Sequence, residues 1–332
     1  MTDARQFSAA VLKIDAPAVS ARIEAQIRGV VLHRLRRRGV VVGLSGGVDS
    51  SVVAALAVRA LGANRVIGLL MPEADSSSDS LRLGRAVADG LRIRYVVEDI
   101  SETLRAVGCY RRRDDAIRLA VPEYGEGYKC KVVLPDVIDR DAYSVSFLTI
   151  LAPSGEARRV RLSAEAYLGI VAATNFKQRV RKMLEYYYAD RFRMAVAGTP
   201  NLLEHDQGFF VKNGDGSADL KPIAHLYKSQ VYQLAAHLDL PAEIQRRAPT
   251  TDTYPLEQSQ EEFYFGLSLL KMDLCVFAKD QGFAPEDAAP AIGLTAEQTR
   301  RAYALIDSKR EAARYLHAEP MLFDSRAAEA NV

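Results

Sequence analysis

The chain has 332 residues, 48% of them hydrophobic and 26% charged, which is the ordinary balance of a globular protein with a substantial core. Its 44 basic and 42 acidic residues give a net charge of only +2, so charge provides no reason to expect a nucleic-acid partner. The first 16 residues lack a long apolar run, and the three cysteines are widely spaced; we therefore expect a cytoplasmic protein without a signal peptide, membrane span, disulfide framework or cysteine metal cluster.

The first hundred residues predict an alternation of strands and helices. An amphipathic helix is expected over residues 18–35, where apolar side chains recur at helical spacing. The strands that follow are predicted at 40–44, 65–70 and 93–97, with helices at 51–61 and 79–90. Short strands separated by helices are typical of right-handed crossover units, so the predicted fold class is α/β, a doubly wound parallel sheet flanked by helices.

Residues 107–165 interrupt this alternation with a segment rich in β-formers and turn residues. The apolar residues of 143–151 alternate and are followed by Pro153, Ser154 and Gly155, after which 157–162 again favours a strand. We predict an inserted β-hairpin within a β-rich insert.

The alternation returns with a helix predicted at 174–190 and a short strand at 194–197. Beyond residue 220 the chain is predicted to be mainly helical, with helices at 229–238, 258–278 and 295–315. Ligands of parallel sheets bind beyond the carboxyl ends of the strands, so Ser45, residues 71–75 and Thr199 are expected to face one crevice.

The most informative motif is Ser-Gly-Gly-Val-Asp-Ser at 45–50, between the first strand and the helix after it. Two glycines permit a tight turn whose N–H groups converge on an anion, and the helix N-terminus adds positive charge. The motif lacks the Gly-Lys-Ser/Thr end of kinase-type loops and does not fit GxGxxG. It predicts an ATP pyrophosphate loop; an ordinary strand-to-helix turn is the alternative. The candidate ATP-binding residues are Ser45, Gly46, Gly47, Val48, Asp49, Ser50 and Ser51.

A second polar constellation follows the strand at 194–197. Residues 198–204 and 208–219 are rich in Gly, Asp and Lys, although a surface loop with capped turns has the same composition.

Taken together, the motifs resemble those of NH3-dependent NAD synthetases, amide-forming ligases of the ATP pyrophosphatase group. The matching motifs lie at 45–50, 69–72, 175–181, 198–199, 214–219, 226–231 and 249–252. The resemblance implies a Rossmann-like ATP pyrophosphatase fold. It also implies that the carboxylate of nicotinic acid adenine dinucleotide (deamido-NAD) attacks the α-phosphorus of ATP, and that ammonia then displaces AMP.

The resemblance further assigns roles to individual residues. Asp49 and Glu204 match magnesium ligands, and Thr199, Lys228 and Thr250 match ATP-binding positions. The positions that match deamido-NAD contacts are Arg179, Lys212 and Asp219; each of these charges could instead pair with neighbouring acids or remain solvated. Lys228 is an expected catalytic residue, and Asp215 is our candidate for capturing ammonium and accepting its proton.

The resemblance covers most of the chain, so we expect a single NAD synthetase domain over residues 1–332, with 107–165 inserted in it and no glutaminase domain. Free ammonia or a separate glutaminase partner would then supply the nitrogen, and the family implies a homodimer. Three alternatives remain open. They are an amide ligase of the same type acting on another carboxylic acid, a nucleotide-binding module without catalysis, and a tRNA-modifying pyrophosphatase, which a clear basic patch would favour.

Overall fold

The computed structural model describes residues 7–133, 147–250 and 253–323. The first part alternates strands and helices, as predicted. Its elements are α1 (Ala16–Arg28), β1 (Val40–Gly43), α2 (Val48–Leu61), β2 (Val66–Leu70), α3 (Ser78–Gly90), β3 (Arg94–Val97), α4 (Ser101–Ala106) and α5 (Cys109–Arg118). The middle comprises β4 (Lys129–Val133), β5 (Phe147–Leu151), β6 (Ala157–Arg161), α6 (Ala164–Phe192) and β7 (Ala195–Ala197). The remainder is helical, with α7 (Leu202–Gln207), α8 (Lys228–His237), α9 (Ala242–Arg246), α10 (Leu269–Asp280), α11 (Pro285–Ile292) and α12 (Ala296–His317).

A four-stranded parallel sheet in the order β3-β2-β1-β7 forms the centre of the molecule. Val40 of β1 lies opposite Val66 of β2 on one side and Ala195 of β7 on the other. Apolar residues of α1, α2 and α8 cover one face of the sheet and those of α4 and α6 cover the other. The strand order reverses between β1 and β7, which confirms the doubly wound α/β fold and places a ligand crevice at that point.

Two helices begin three or more residues earlier than the sequence predicted. α2 starts at Val48 rather than residue 51, because Gly47 is extended and serves as its N-cap. α6 starts at Ala164 rather than residue 174, with the Ser163 side chain accepting a hydrogen bond from the Ala166 N–H. Val48 and Asp49 therefore lie in the first turn of a helix, whose positive end faces the preceding loop.

The predicted insert was partly wrong. Ten of its first twelve residues, Cys109–Arg118, are helical, because Cys109, Ala116 and Ile117 form a buried face of α5. The β-rich part is a three-stranded antiparallel sheet in the order β4-β5-β6, rather than a hairpin alone. The β5–β6 pairing is confirmed; residues 143–146 of the predicted first strand lie outside the described residues.

Two other predicted helices are divided. The helix predicted at 18–35 becomes α1 followed by a π-helical turn, Gly29–Arg34. The helix predicted at 258–278 becomes a π-helical turn, Glu261–Phe265, and α10, because Gly266 adopts a positive φ of 72° that ends the first segment. None of the helices in the described ranges is both long and apolar enough to cross a membrane.

Candidate active site

A cavity of about 770 Å³ opens at the carboxyl ends of β1, β2 and β7. One long face of α6 lines it, from Tyr167 to Glu185, together with the β1–α2 loop and part of α12. Ser45, Met71, Pro72 and Thr199 line this main cavity, which confirms the predicted shared crevice for these residues. Residues 73–75, which were expected there too, are not part of its wall.

The β1–α2 loop has the geometry of an anion cradle. Gly46 has a φ of 74°, and a Cβ atom there would lie 2.6 Å from the Ser80 carbonyl oxygen, so only glycine fits. The Ser45 and Ser50 hydroxyls lie 3.2 Å apart and both face the main cavity. Ser51 instead lies behind the loop, where its hydroxyl donates to the Gly47 carbonyl at 2.8 Å.

Asp49 is held by residues that approach from two distant parts of the chain. The Lys228 ammonium donates to Asp49 Oδ2, and the Asn201 amide donates to Asp49 Oδ1 at 3.1 Å. Lys228 itself is only 1% exposed. Burial alone would lower the pKa of Lys228, but the charges of Asp49 and Glu204 outweigh it and raise that pKa, so the lysine stays charged.

Glu204 faces the main cavity beside this pair, from the first turn of α7. Its Oε2 accepts from the Asn201 N–H at 3.1 Å, and its Oε1 accepts from the Gln260 amide at 2.9 Å. Burial, and then the nearby charge of Asp49, raises the pKa of Glu204 above its ordinary value. The two carboxylates therefore meet at one place and repel each other, which is the arrangement that a shared cation would stabilise.

Two residues that the sequence analysis did not select support this end of the cavity. The Asp273 carboxylate accepts from the Lys228 N–H at 3.2 Å and the Ser229 N–H at 2.8 Å, and so fixes the start of α8. The Arg247 guanidinium donates to Ser80 Oγ at 3.1 Å and lines the main cavity. Neither residue lies in a recognisable motif, and only the folded chain brings them to the site.

Asp215 also faces the main cavity, where its Oδ1 accepts from the Val211 N–H at 2.7 Å. Burial raises the pKa of the Asp215 carboxyl, and Lys182 opposes this with its positive charge. Lys182 pairs with Glu185 at 2.5 Å on the same wall, an i,i+3 contact that the predicted helix at 174–190 could have indicated.

The predicted dinucleotide residues are dispersed. Arg179 Nε donates to the Lys212 carbonyl at 3.4 Å, and both residues line a smaller cavity of about 270 Å³. The Lys212 ammonium donates to the carbonyls of Tyr315 and Ala318, at 2.7 and 2.9 Å. Asp219 lies outside both cavities; it is exposed, and its carboxylate accepts from the Val196 N–H at 2.8 Å. Thr250 lines the main cavity, whereas residues 251–252 of the same motif lie outside the described residues.

A buried ionic cluster adjoins the main cavity and was not predicted. Lys177, 1% exposed, donates to Glu73 Oε1 at 2.9 Å, to Asp75 Oδ2 at 2.6 Å and to the Thr253 carbonyl at 2.7 Å. Arg113 of α5 pairs with the same Asp75. The cluster joins the β2–α3 loop to α5, α6 and the segment after Thr250.

Comparison with known proteins relates this arrangement to one family. The NAD synthase family model matches residues 19–120 and 154–313. The chain is 57% identical over 312 residues to the NH(3)-dependent NAD(+) synthetase of Mesorhizobium japonicum, with 94% of this chain and 98% of the relative covered. It is 35% identical over 253 residues to the enzyme of the same name from Thermotoga maritima, with 75% and 84% covered.

Solved structures share the fold at lower identity. The NH3-dependent NAD synthetase of Campylobacter jejuni superposes with a TM-score of 0.61 at 22% identity, over 94% of this chain and all of that one. An NMN synthetase from Francisella tularensis superposes with a TM-score of 0.60 at 20% identity and the same coverage. These two likenesses concern the fold alone.

Proposed function

The chain belongs to the NAD synthase family, and on this premise we propose that it is a ligase that amidates deamido-NAD to NAD with ATP and ammonia. The observation that carries the proposal is the meeting of the Ser45–Ser50 loop, Asp49, Lys228 and Glu204 at one end of the main cavity. A passive nucleotide-binding module has no need for two acids and a buried lysine at this point.

The reaction proceeds in two steps. In the first, a carboxylate oxygen of deamido-NAD attacks the α-phosphorus of ATP, the bond to the bridging oxygen breaks, and pyrophosphate leaves. The backbone N–H groups of the loop and the Lys228 ammonium stabilise the charge that builds up on the leaving group. In the second step, the ammonia nitrogen attacks the acyl carbon, AMP leaves and a proton is released.

We propose Mg²⁺ as the cofactor and Asp49 and Glu204 as the residues that hold it. Their donor set fits, since carboxylate oxygens suit a hard ion that completes its shell with water and phosphate oxygens. Among the described residues no group of three or more His, Cys, Asp or Glu side chains could hold a metal, so ATP would supply the remaining ligands. When bound, the ion neutralises phosphate charge during pyrophosphate departure.

We place deamido-NAD along α6, with Arg179 and Lys212 near its phosphates and Asp219 at a hydroxyl or ring position. In support, Arg179 and Lys212 share a cavity whose wall also includes Asn175 and Phe210, and both of these residues line the main cavity as well. Asp219 would have to reach the substrate from outside these two cavities.

We also propose that the chain forms a cytoplasmic homodimer, and that its ammonia is either free or supplied by a separate glutaminase partner. Two large apolar side chains on the outer surface of α6 support an interface there, Met183 at 57% and Tyr187 at 52% exposure. Sedimentation equilibrium of the purified chain, compared with a Met183→Glu variant, tests the dimer.

The proposed reaction is tested by incubating the protein with ATP, Mg²⁺, deamido-NAD and either ammonium or glutamine, and identifying the products by mass. We expect NAD, AMP and pyrophosphate with ammonium. Pyrophosphate release with a different carboxylic acid, and none with deamido-NAD, would replace the substrate but retain the ligase. No pyrophosphate with any acid would remove the enzyme proposal.

Asp215 provides a test of the second step. In an Asp215→Asn variant the amide oxygen can still accept from the Val211 N–H, so the loop should remain folded. We expect NAD formation to fall by about 100-fold, because no carboxylate remains to hold ammonium and accept its proton. Pyrophosphate exchange into ATP, which reports the first step, should change by less than about fivefold. Equal loss of both half-reactions would contradict the assignment.

A further inference from the structure

The NAD synthase family model passes over residues 121–153, yet this segment reaches the main cavity. The segment contains β4 and β5, and Val132 of β4 forms part of the cavity wall beside Tyr167 and Tyr254. The feature that distinguishes this chain from the family pattern is therefore placed at the proposed active site.

Residues 253–260, here called the docking loop, pack along the edge of β4 that does not pair with β5. The Leu256 N–H donates to the Cys130 carbonyl at 3.2 Å, and the Gln258 amide donates to the Val132 carbonyl. The Lys131 ammonium donates to the Glu257 carbonyl at 3.3 Å and to the Glu262 carboxylate at 2.9 Å. A backbone hydrogen bond and two side-chain hydrogen bonds therefore hold the docking loop against the edge of β4, and the Lys131–Glu262 ion pair adds a contact two residues beyond the loop.

The end of the docking loop reaches the groups proposed to act on ATP. Ser259 forms a β-bridge with Thr250, and the Gln260 N–H donates to the Pro249 carbonyl at 3.0 Å. Gln260 is 9% exposed, and its amide donates to Glu204 at 2.9 Å. A continuous series of contacts thus runs from β4 through the docking loop to Thr250 and Glu204.

We propose that the inserted sheet is a positioning element for the ATP and metal end of the site, acting through the docking loop, and that Lys131 is its principal positioning residue. The proposal rests on the function proposed above. Lys131 does not touch substrate; it restricts the docking loop so that Thr250 and Gln260 stay in place. Removing it should weaken the use of ATP and Mg²⁺ without changing the use of deamido-NAD.

The test compares a Lys131→Ala variant with three others in the full chain. Lys131→Arg retains the ion pair, and Glu262→Gln removes it from the other side. Lys129→Ala is the matched control, because Lys129 lies two residues away on β4, is exposed, and has no ion-pair partner among the described residues. Each protein is measured for the KM of ATP and of deamido-NAD, the Mg²⁺ concentration for half-maximal rate, and amide hydrogen exchange of residues 253–260.

We expect Lys131→Ala and Glu262→Gln to raise the KM for ATP and the Mg²⁺ requirement by about fivefold, as loss of a partly exposed ion pair predicts, with the KM for deamido-NAD within about twofold. Exchange of the docking loop should accelerate in both variants, while that of α2 stays unchanged. Lys131→Arg and Lys129→Ala should match the unaltered protein.

Unchanged exchange in Lys131→Ala, or an equal effect of Lys129→Ala, would overturn the proposal. Equal increases in the KM of both substrates would also overturn it. The hydrogen-exchange measurement does not depend on catalysis. If the unaltered protein fails to make NAD, the proposed function is refuted, but hydrogen exchange still tests whether Lys131 restricts the docking loop.

Discussion

We call one end of the main cavity, which contains Ser45–Ser50, Glu204 and Lys228, the phosphate end. Most of its polar groups come from one contiguous motif and the start of α2. At the other, the insert end (Val132, Tyr167 and the docking loop), the wall is assembled from segments more than 30 residues apart. The comparison shows that one ligand site can combine a locally encoded half with a half that exists only after tertiary folding.

The charges at the two ends also differ in what they contact. Lys228 and Asp49 face open cavity and can exchange their contacts for those of a ligand. Lys177, beside the insert end, also lines the cavity and is as buried as Lys228, at 1% exposure. Its ammonium, however, donates to three protein oxygens, those of Glu73, Asp75 and the Thr253 carbonyl, so its charge is balanced within the protein. We therefore expect charge removal at the phosphate end to impair catalysis, and removal near the insert end to impair stability.

Replacement of the phosphate-end lysine should have the largest effect. In Lys228→Met the charge that opposes both acids is lost, together with stabilisation of the departing pyrophosphate. We expect kcat/KM for ATP to fall by about 1,000-fold, or about 4 kcal/mol of transition-state stabilisation. Steady-state pyrophosphate release measures it.

The matched control is Lys271→Met, because Lys271 contacts the Gly293 carbonyl away from the main cavity. It should retain activity within about twofold. If kcat/KM for ATP falls by less than tenfold in Lys228→Met, the charge of Lys228 stays balanced within the protein during the reaction. The phosphate end and the insert end would then not differ in the role of their charges.

The local half of the site could be predicted because its signals are short. The run Val40–Val42 before the glycines indicates a buried strand, and the spacing of Ser45, Gly46 and Asp49 indicates a turn into a helix. The structure bears out this arrangement, shifting only the helix start to Val48. The catalytic and ligand-binding roles assigned to these residues stay predictions.

The tertiary half could not be predicted in the same way. Residues 111–115 are five consecutive charged residues, so the sequence of α5 shows no clear apolar periodicity. Its buried face is recognised only in the structure, where it packs on α6. Arg247 and Asp273 reach the site across long separations without any motif. β4 is an intermediate case, because the alternation of Lys129, Cys130 and Lys131 is a strand signal that could have revealed it.

Removal of the buried lysine near the insert end should chiefly reduce stability. Lys177→Met leaves Glu73 and part of the charge of Asp75 unbalanced in a buried position. We expect the free energy of unfolding to fall by about 3 kcal/mol, and Tm by about 4–5 °C in thermal unfolding. Lys177→Met combined with Glu73→Gln should recover part of the loss, since one uncompensated charge is gone. If the free energy of unfolding falls no more than it does in Lys129→Ala, the ion pairs of Lys177 do not stabilise the protein.

Lys309 provides the smallest and most selective test, because it lines the main cavity and yet has no acidic partner among the described residues. Burial lowers the pKa of Lys309 to about 7. Its ammonium donates to the Tyr264 carbonyl and lies 4.1 Å from the centre of the Tyr264 ring. Unlike Lys228, it is a cavity-facing lysine whose charged form the protein disfavours.

The sign of the resulting pH dependence follows from proton binding. Between pH 7 and 10.5 the unfolded chain keeps this lysine protonated while the folded protein does not, so the group makes the protein more stable as pH rises. Lys309→Met removes that dependence. The variant's free energy of unfolding, relative to that of the unaltered protein, should therefore decrease from pH 6 to pH 9. We expect a decrease of about 1–2 kcal/mol, which is less than the full linkage effect because the Tyr264 contacts favour the charged form of Lys309. Urea unfolding at several pH values measures this difference. If the difference does not depend on pH, Lys309 stays charged, as Lys228 does. A lysine that faces this cavity would then remain protonated even without an acidic partner.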